Sequence, residues 1–467
     1  MKRIVVAFIL VSLATSITLA QKKPQKPPID SPSVFRGTAP GPVDSHSIAD
    51  TKWFDIFRDE RLRELIDEAI RYNYDLREAV AHVDEAAAAL GITRSEQFPT
   101  IGASADITIE RRSRDGVVTI PEPVKRDRTF GSVLLNLLTF ELDIWGRLRK
   151  QTQAARAELA ATKEAHYAVL TTIISDVATS YFNLRELDFE LEVAKRTLLS
   201  RQESLRIIKL RQTRGVSTML EVRQAEELVY SASEVIPALE QAIEQQENFI
   251  SYLTGKNPNA IPRGQSLTEQ VMPPTVPAGL PSDLIERRPD IRAAEQQLIA
   301  ADARIAVAKK AFFPRITLTG FLGFESAQLT SLFSGSRSVW GFLPQVTQPI
   351  FTGGRLKSNV KFTKAQKEVF LVNYQRVIQN SFREVSDSLV AHRKVKEVRT
   401  ERELLVATLQ DRVRLAYLRY NGGVSNLLEA LDADRSLFDA ERSLAQARRD
   451  ELLSVVQLYK ALGGGWQ

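Results

Sequence analysis

The sequence predicts a mainly α-helical protein with a transmembrane β part, built from a duplicated repeat that carries two strands and long coiled-coil helices. Three observations predict this fold class: a phrase that occurs twice, two very long helical tracts, and segments in which apolar and polar residues alternate. Residues 210–225 read LRQTRGVSTMLEVRQA and residues 418–433 read LRYNGGVSNLLEALDA, identical at eight of sixteen positions. The same phrase at two distant places indicates an internal duplication.

The first twenty residues are typical of a secretory signal peptide. Lys2 and Arg3 precede the apolar run IVVAFILVSLA, and Thr18-Leu19-Ala20 offers a small-residue cleavage site. No later run approaches the ~18 apolar residues that a membrane-spanning helix needs. We therefore expect signal peptide 1–20 on an exported protein without a transmembrane helix. Residues 21–52, rich in proline, are predicted to form an extended, poorly ordered lead-in.

The composition excludes several classes of site. The chain has no cysteine, which excludes disulfides, thiolate metal sites and an acylated N-terminal cysteine. Its 63 Lys and Arg are spread along the chain with 57 Asp and Glu, whereas nucleic-acid binding requires basic residues gathered on one face. The four histidines are isolated, and the sequence carries no phosphate-binding or catalytic motif. We expect no enzyme, no metal site, no cofactor and no nucleic-acid partner.

Further matches extend the duplication into two repeats. Gly146-Arg147-Leu148 matches Gly354-Arg355-Leu356 at the same offset as the two longer phrases. We assign the first repeat to residues 53–258 and the second to residues 281–467. The stretch 259–280, rich in Pro and Gly, is interpreted as the linker between them.

Each repeat is predicted to begin with a helix, over about 59–97 and 290–312, followed by two strands. A Phe-Pro dipeptide ends each helix, because proline lacks an N–H donor and restricts the residue before it. The strands fall within about 99–143 and about 314–351. The segment TIGASADITIE, for example, places isoleucine and alanine on one face and polar residues on the other, the pattern of a strand.

Strands of about ten residues in an exported protein are long enough to span a bilayer when tilted. Only closed barrels hide their edges from lipid, and four strands are too few to close one. We therefore expect copies of the chain to share one barrel. Ten of the 21 phenylalanines lie within 98–145 and 312–351, as membrane-interface girdles require, although a soluble sheet packed on helices would enrich phenylalanine as well.

A long helical tract without proline follows the strands in each repeat, predicted from Arg147 to about Thr213 and from Arg355 to about Asn421. At 1.5 Å per residue each would reach about 100 Å. In the first tract leucine or valine recurs every seven residues, which predicts a left-handed coiled coil with neighbouring helices. Glycine suits the left-handed conformation that ends a helix, so Gly215 and Gly423 are predicted to mark the tips of two helical hairpins.

Five motifs in a fixed order carry a resemblance to a known family. They are WFDIFRDERLRELIDEAIRYNYDL (53–76), ELDIWGRLRK (141–150), RRPDIRAAEQQLIAADARIAVAKKAFFPRITLTG (287–320), QPIFTGGRL (348–356) and LYKALGGGW (458–466). With them the chain resembles the TolC-like outer membrane factors, and among these the NodT-type outer membrane subunits of RND-type tripartite efflux pumps. The resemblance covers nearly the whole mature chain.

The resemblance implies a homotrimer whose 12-stranded β-barrel in the outer membrane continues into a periplasmic α-helical barrel. It implies an exit duct that passively conducts small molecules, as in multidrug resistance, with a periplasmic adaptor protein, an inner-membrane efflux transporter and outer membrane lipid as partners. Many relatives carry an acylated cysteine after the signal, and this chain has none, so we expect no lipid anchor through cysteine. Two alternatives stay open: a type I protein-secretion conduit and a non-channel periplasmic coiled-coil protein.

A conduit needs no catalyst, so the candidate sites are a periplasmic gate and a docking surface. Glu221 and Glu429 each follow a tip glycine by six residues, and Asp432 lies one helical turn beyond Glu429, on the same side. The resemblance implies that Asp432 belongs to an acidic, cation-selecting ring and that Tyr420 takes part in closure. Ordinary solvated helix charges are the alternative interpretation of these carboxylates.

The hairpin tips are the expected contacts for the adaptor, although glycine at a tip also satisfies plain turn chemistry. Relatives often carry an arginine where this chain has Ser425, which cannot form the closing salt bridge; Arg214, Arg419 and Arg435 are the candidates to substitute for it. The tip residues are Gly215, Val216, Ser217, Gly423, Val424 and Ser425.

Overall fold

Helices and antiparallel strands follow one another in the described part of the chain, which is residues 32, 34–36, 47–116, 119–270, 277–333 and 335–465 of a computed structural model. The helices there are α1 Trp53–Ile56, α2 Glu60–Tyr72, α3 Tyr74–Ser95, α4 Arg147–Thr213, α5 Met219–Leu253, α6 Pro281–Arg287, α7 Pro289–Lys310, α8 Arg355–Asn421 and α9 Leu427–Ala461. The strands are β1 Ile101–Arg111, β2 Asp127–Leu142, β3 Arg315–Ser326 and β4 Ser338–Thr347. The expected class, mainly α with a few antiparallel strands, is confirmed.

The chain divides into Met1–Pro32 and Ser33–Gln467. Of the first unit only Pro32 is described, so the predicted signal peptide lies outside the described residues. The other described residues of the lead-in belong to the second unit, and Phe35 and residues 47–49 are buried, which corrects the expectation of poor order at these positions. Phe35 is 4% exposed and its ring lies 6.2 Å from that of Phe382, while Ser47 caps the 3₁₀ turn Ile48–Asp50.

The two longest helices, α4 and α8, begin and end at the predicted residues, and each has 67 residues. The single helix predicted over about 59–97 is wrong, because Asn73 divides it into α2 and α3. Asn73 has an extended ψ of 133° and its Oδ1 accepts the N–H of Leu76 over 3.0 Å. Its Nδ2 donates to the Leu253 carbonyl over 2.9 Å, so the break is held by α5 as well.

The four strands form one antiparallel sheet in the order β1-β2-β3-β4. Residues directly opposite each other share a face, and the register gives the sheet one apolar face. That face carries Ile101, Ile107, Val133, Leu135, Phe140, Leu142, Ile316, Leu318, Leu322, Phe324, Trp340, Phe342 and Val346. The other face is mostly polar and carries Ser104, Asp106, Thr108, Asn136, Glu141, Arg315, Thr317, Thr319, Gln345 and Thr347.

The helices adjoining the sheet repeat its order. α3 leads into β1, β2 into α4, α7 into β3 and β4 into α8. In the described structure α3 packs on α4, α4 on α7, and α7 on α8. Strands and helices therefore form one continuous wall, in which each helix extends the strand it adjoins.

The main apolar core lies where α2 and parts of α5 and α9 pack against the middle of α4. Tyr181 and Phe182 of α4 are fully buried there. The Tyr181 hydroxyl donates to the Asp59 carboxylate over 2.8 Å, and the same carboxylate accepts the N–H of Leu62 at the start of α2. This core fixes α9, from the second half of the chain, on α4 from the first.

Within the described ranges, no helix combines the length and the apolar character that crossing a bilayer requires.

Candidate functional site at the hairpin tips

The two repeated phrases form two helical hairpin tips of the same construction. Gly215 has φ 75° and Gly423 has φ 74°, the left-handed conformation that an L side chain rarely adopts. The N–H of Val216 bonds the Arg211 carbonyl over 2.9 Å, and that of Val424 bonds the Arg419 carbonyl over 3.1 Å. These bonds satisfy the last carbonyls of α4 and α8. A Cβ at either glycine would meet nothing within 4 Å, so conformation and not space requires glycine here.

The helices that follow the two tips, α5 and α9, each begin with a side-chain cap. Thr218 accepts the N–H of Glu221 over 3.3 Å, and the Glu221 carboxylate accepts the N–H of Thr218 over 2.7 Å, which completes a capping box. At the second tip Asn426 accepts the N–H of Glu429 over 3.1 Å. Glu221 therefore has a local structural role in starting α5.

The two acidic residues of the second hairpin both face α8. Glu429 accepts a hydrogen bond from the Ser425 hydroxyl, and its Oε1 lies 3.5 Å from Nη1 of Arg419. Asp432 accepts a 2.7 Å hydrogen bond from Arg412, and its side chain is 60% exposed. Because Arg412 and Arg419 both belong to α8, the two carboxylates lie on the same side of α9.

Arg412, the salt-bridge partner of Asp432, was not among the residues expected from the sequence. Of the three arginines proposed there, Arg419 pairs with Glu429, and the described residues give Arg214 and Arg435 no carboxylate partner. A signal was available, since Arg412 and Asp432 stand ten residues on either side of Gly422. Folding the hairpin about its tip brings residues at equal distances together.

Tyr420 and Arg211 connect the two hairpins near their tips. The Arg211 guanidinium lies over the Tyr420 ring at 5.0 Å from its centroid, the geometry of a cation–π contact. Arg211 also donates to the Asn421 side chain over 3.0 Å. Tyr420 packs against the apolar cluster that includes Ile208 and Leu427, so this residue joins α8 to α4.

A buried ion pair joins the hairpins further from the tips. The Arg201 side chain is 3% exposed and its Nε lies 2.7 Å from the Asp434 carboxylate. The same guanidinium donates to the Leu228 carbonyl over 3.0 Å and lies over the ring of Phe438. One arginine on α4 therefore contacts both α5 and α9.

The outermost residues of both tips are apolar and exposed. Val216 is 76% exposed and Val424 is 70% exposed, and Leu220 and Leu428 are exposed beside them. Exposed apolar patches of this kind mark interaction surfaces. Among the described residues, no group of three or more His, Cys, Asp or Glu is arranged to hold a metal ion.

Comparisons with known proteins agree with this architecture. The model of the family described as outer membrane efflux protein matches residues 65–256 and 280–464. The solvent efflux pump outer membrane protein SrpC of Pseudomonas putida is 39% identical over 430 residues, which cover 91% of this chain and 90% of that protein. The cation efflux system protein CusC of Escherichia coli is 33% identical over 445 residues, covering 95% of both.

Solved structures resemble the fold over almost its full length. The open state of the MtrE outer membrane channel of Neisseria gonorrhoeae gives a TM-score of 0.87 at 32% identity, covering 96% of this chain and 98% of that one. The outer-membrane channel OprN gives a TM-score of 0.87 at 26% identity, covering 94% and 98%.

Proposed function

The chain belongs to the outer membrane efflux protein family and is an outer membrane efflux channel, and we propose that three copies form the exit duct of a tripartite pump. In this proposal the duct conducts small molecules passively from an inner-membrane transporter, which reaches it through a periplasmic adaptor. The chain would be held in the outer membrane by its strands and their contact with lipid, and not by a lipid anchor through cysteine.

The observation that carries the proposal is the two-faced sheet with open edges. β1 and β4 each pair with one neighbour only in the described structure. A sheet edge left open in lipid would leave backbone N–H and C=O groups without hydrogen-bond partners. Three copies joined edge to edge would close a 12-stranded barrel. Its apolar face would then meet lipid and its mostly polar face would line a lumen.

The helical wall supports a duct that continues below the barrel. Each of α3, α4, α7 and α8 extends one strand, and the helices keep the order of the strands. A closed sheet therefore implies a closed ring of helices beneath it. Two copies of the same arrangement along the chain also support the proposed internal duplication, with repeats at 53–258 and 281–467.

We propose the hairpin tips as the gate and the docking surface. Asp432, Glu429 and Glu221 would bring acidic groups to the periplasmic mouth, and Tyr420 would hold the second hairpin against the first. The exposed Val216 and Val424 would enter the adaptor interface, where burying apolar side chains favours binding.

The gate is tested with Asp432→Ala in planar bilayers. The change removes a carboxylate and its 2.7 Å bond to Arg412, so we expect higher single-channel conductance and weaker cation selectivity. Asp411→Ala is the matched control, since Asp411 forms an exposed pair with Arg414 within α8. An Asp432→Ala channel with the conductance and selectivity of the wild type would remove Asp432 from the gate.

The function itself is tested by deletion and complementation. A strain that lacks the chain should become more susceptible to small toxic compounds, and the wild-type chain should restore its resistance. Loss of secretion of a large protein with unchanged susceptibility would favour the protein-secretion conduit instead. A chain recovered only in the soluble periplasmic fraction would favour the non-channel coiled-coil protein, although such a protein leaves the apolar sheet face without a role.

A further inference from the structure

A cavity of about 450 Å³ lies where the strands pass into the helices. Arg147, the first residue of α4, and Arg355, the first residue of α8, line it. Arg315 at the start of β3 and its cross-strand neighbour Thr347 close it towards the sheet. The carboxyl end of α7 supplies small apolar residues on the remaining side.

The cavity lies on the mostly polar side of the wall. Arg315 pairs in register with Thr347, and Thr317, two residues on, pairs with Glu141. Side chains two residues apart on a strand share a face, so Arg315, Thr347 and Glu141 all lie on the face that carries the polar residues. This is the face that would line the lumen.

Two of the three arginines in the cavity are uncompensated. Arg147 is paired with Glu141, to whose carboxylate it donates two hydrogen bonds of 2.9 Å and 2.8 Å. Among the described residues, the guanidinium groups of Arg315 and Arg355 have neither a carboxylate partner nor a hydrogen-bond acceptor. No carboxylate is found among the described side chains that line the cavity.

The backbone adds to the positive character of the site. Arg355 opens a helix of 67 residues whose N-cap, Gly354, offers no side-chain acceptor to the first N–H groups. The amino end of a helix carries about half a positive charge. Asn359, one turn further along α8, brings an amide group to the same cavity.

We propose that Arg315 and Arg355 form an anion-binding collar in the neck of the duct, which binds phosphate, sulfate or carboxylate groups of passing solutes. This proposal rests on the proposed function, because it needs the polar face to line the lumen. Arginine suits the task, since its planar guanidinium bonds such groups in bidentate fashion. In a trimer the collar would repeat three times around the neck, and facing charges of one sign concentrate counter-ions between them.

The collar would oppose the acidic tips in sign. At the periplasmic mouth the carboxylates of the proposed gate, Glu429 and Asp432, would favour cations when their arginine partners move away, whereas the neck offers guanidinium groups that carboxylates do not neutralise. A solute that carries both charges would meet a favourable site at each end. The two ends of the duct would therefore select different parts of the same molecule.

The test uses inorganic pyrophosphate as the probe on the full-length wild-type channel in a planar bilayer. Pyrophosphate should block the potassium chloride current, and Arg315→Gln with Arg355→Gln should raise the half-blocking concentration by about tenfold or more, as the loss of charged hydrogen bonds implies. Isothermal titration of the detergent-solubilised protein should give the same weakening without any requirement for conduction. Arg315→Lys with Arg355→Lys should retain most of the affinity.

Matched controls separate the collar from general charge effects. Lys357→Gln with Lys361→Gln removes two positive charges, as the double arginine variant does, from positions of α8 that do not line the cavity. This control should leave the block by pyrophosphate unchanged. If the double glutamine variant fails to fold, each single variant should give part of the shift. Normal block by pyrophosphate in folded arginine variants, or equal loss in the lysine controls, would overturn the collar; a wild type that forms no channel but titrates normally would overturn the proposed function instead.

Discussion

Glu186 and Glu190, one turn apart on α4, are buried side by side against α9. Arg442 binds Glu190 over 3.0 Å, and Arg449 lies 3.3 Å from Glu186. Burial raises the pKa of Glu186 to about 8; a hydrogen bond with Glu190 and the charge of that residue add to the effect, and Arg449 partly offsets it. The folded protein therefore keeps a proton here that the unfolded chain releases near the ordinary value of 4.5.

The sign of the pH dependence follows from this raised pKa. Between about 4.5 and about 8 the folded state holds one more proton at Glu186 than the unfolded state, so the free energy of unfolding falls as pH rises through that window. Glu186→Gln keeps a hydrogen-bonding side chain without the charge. We expect it to melt roughly 2 °C or more above the wild type at pH 8.5 and to lose less stability between pH 5.5 and pH 8.5.

The control for this prediction is Glu203→Gln on the same helix, where Glu203 forms an exposed pair with Arg206. Its effect should stay small at both pH values. Melting of the detergent-solubilised protein followed by circular dichroism measures both variants. An identical pH profile for Glu186→Gln and the wild type would contradict the assigned protonation of Glu186.

Single residues were the hardest level to predict from the sequence. The positions of both tips were predictable, because glycine alone suits their positive φ. Arg201, Arg211 and Arg412 were missed, since an arginine on a long charged helix looks solvent-exposed until the neighbouring helix is known. Glu221 was proposed for the gate, and its bond to the Thr218 backbone became visible only with the start of α5 defined.

At the scale of elements, the Arg201–Asp434 pair is one of the contacts that hold α9 on α4, beside the apolar core. Asp434→Ala would leave the Arg201 charge buried and unpaired, which costs about 3–5 kcal/mol. We expect a clear fall in the midpoint of denaturant unfolding. Asp411→Ala, which breaks an exposed pair with Arg414, should cost less than about 1 kcal/mol. Similar midpoints for the two variants would contradict the structural role of the buried pair.

The tips make a second prediction at this scale. Val216→Asp with Val424→Asp would place carboxylates in the proposed adaptor interface, where each buried unpaired charge costs about 3 kcal/mol. We expect susceptibility to rise to the level of the deletion strain while trimer yield and bilayer conductance stay unchanged. Val216→Ala with Val424→Ala keeps the tips apolar and should retain most resistance. Full resistance in the aspartate variant would remove these valines from the interface.

Elements were predicted from the sequence with uneven success, for physical reasons. The predicted bounds of helices α4 and α8 were correct at both ends, because glycine precedes each helix and a glycine-containing tip follows it. The break between α2 and α3 was missed because asparagine also occurs within helices. Here Asn73 caps α3, and its side chain donates to the Leu253 carbonyl, a contact that is invisible in the sequence. β4 ends at Thr347, before the predicted 351.

At the scale of the whole molecule, the two open edges of the sheet decide how the protein assembles. The alternation of apolar and polar residues in β1 and β3 was visible in the sequence. Which side chains of β2 and β4 lie on the apolar face could be assigned only from the observed register. That register gives one apolar and one mostly polar face, and with them the proposed lipid and lumen sides. The trimer stays a prediction, because a single chain does not contain the contacts that would close the ring. The internal duplication also stays a prediction.

Disulfide trapping between neighbouring chains is the sharpest test of the trimeric barrel, and the absence of native cysteine leaves the gel free of other crosslinks. Ser104→Cys on β1 is combined with Leu343→Cys or Gln345→Cys on β4, at a similar depth in the sheet, where paired strands bring Cβ atoms within disulfide reach. After oxidation, we expect a ladder on a non-reducing denaturing gel that ends at three chains, while each single-cysteine variant stays monomeric. A ladder that ends at two chains, one that continues past three, or no crosslink at any pair would contradict the trimeric barrel.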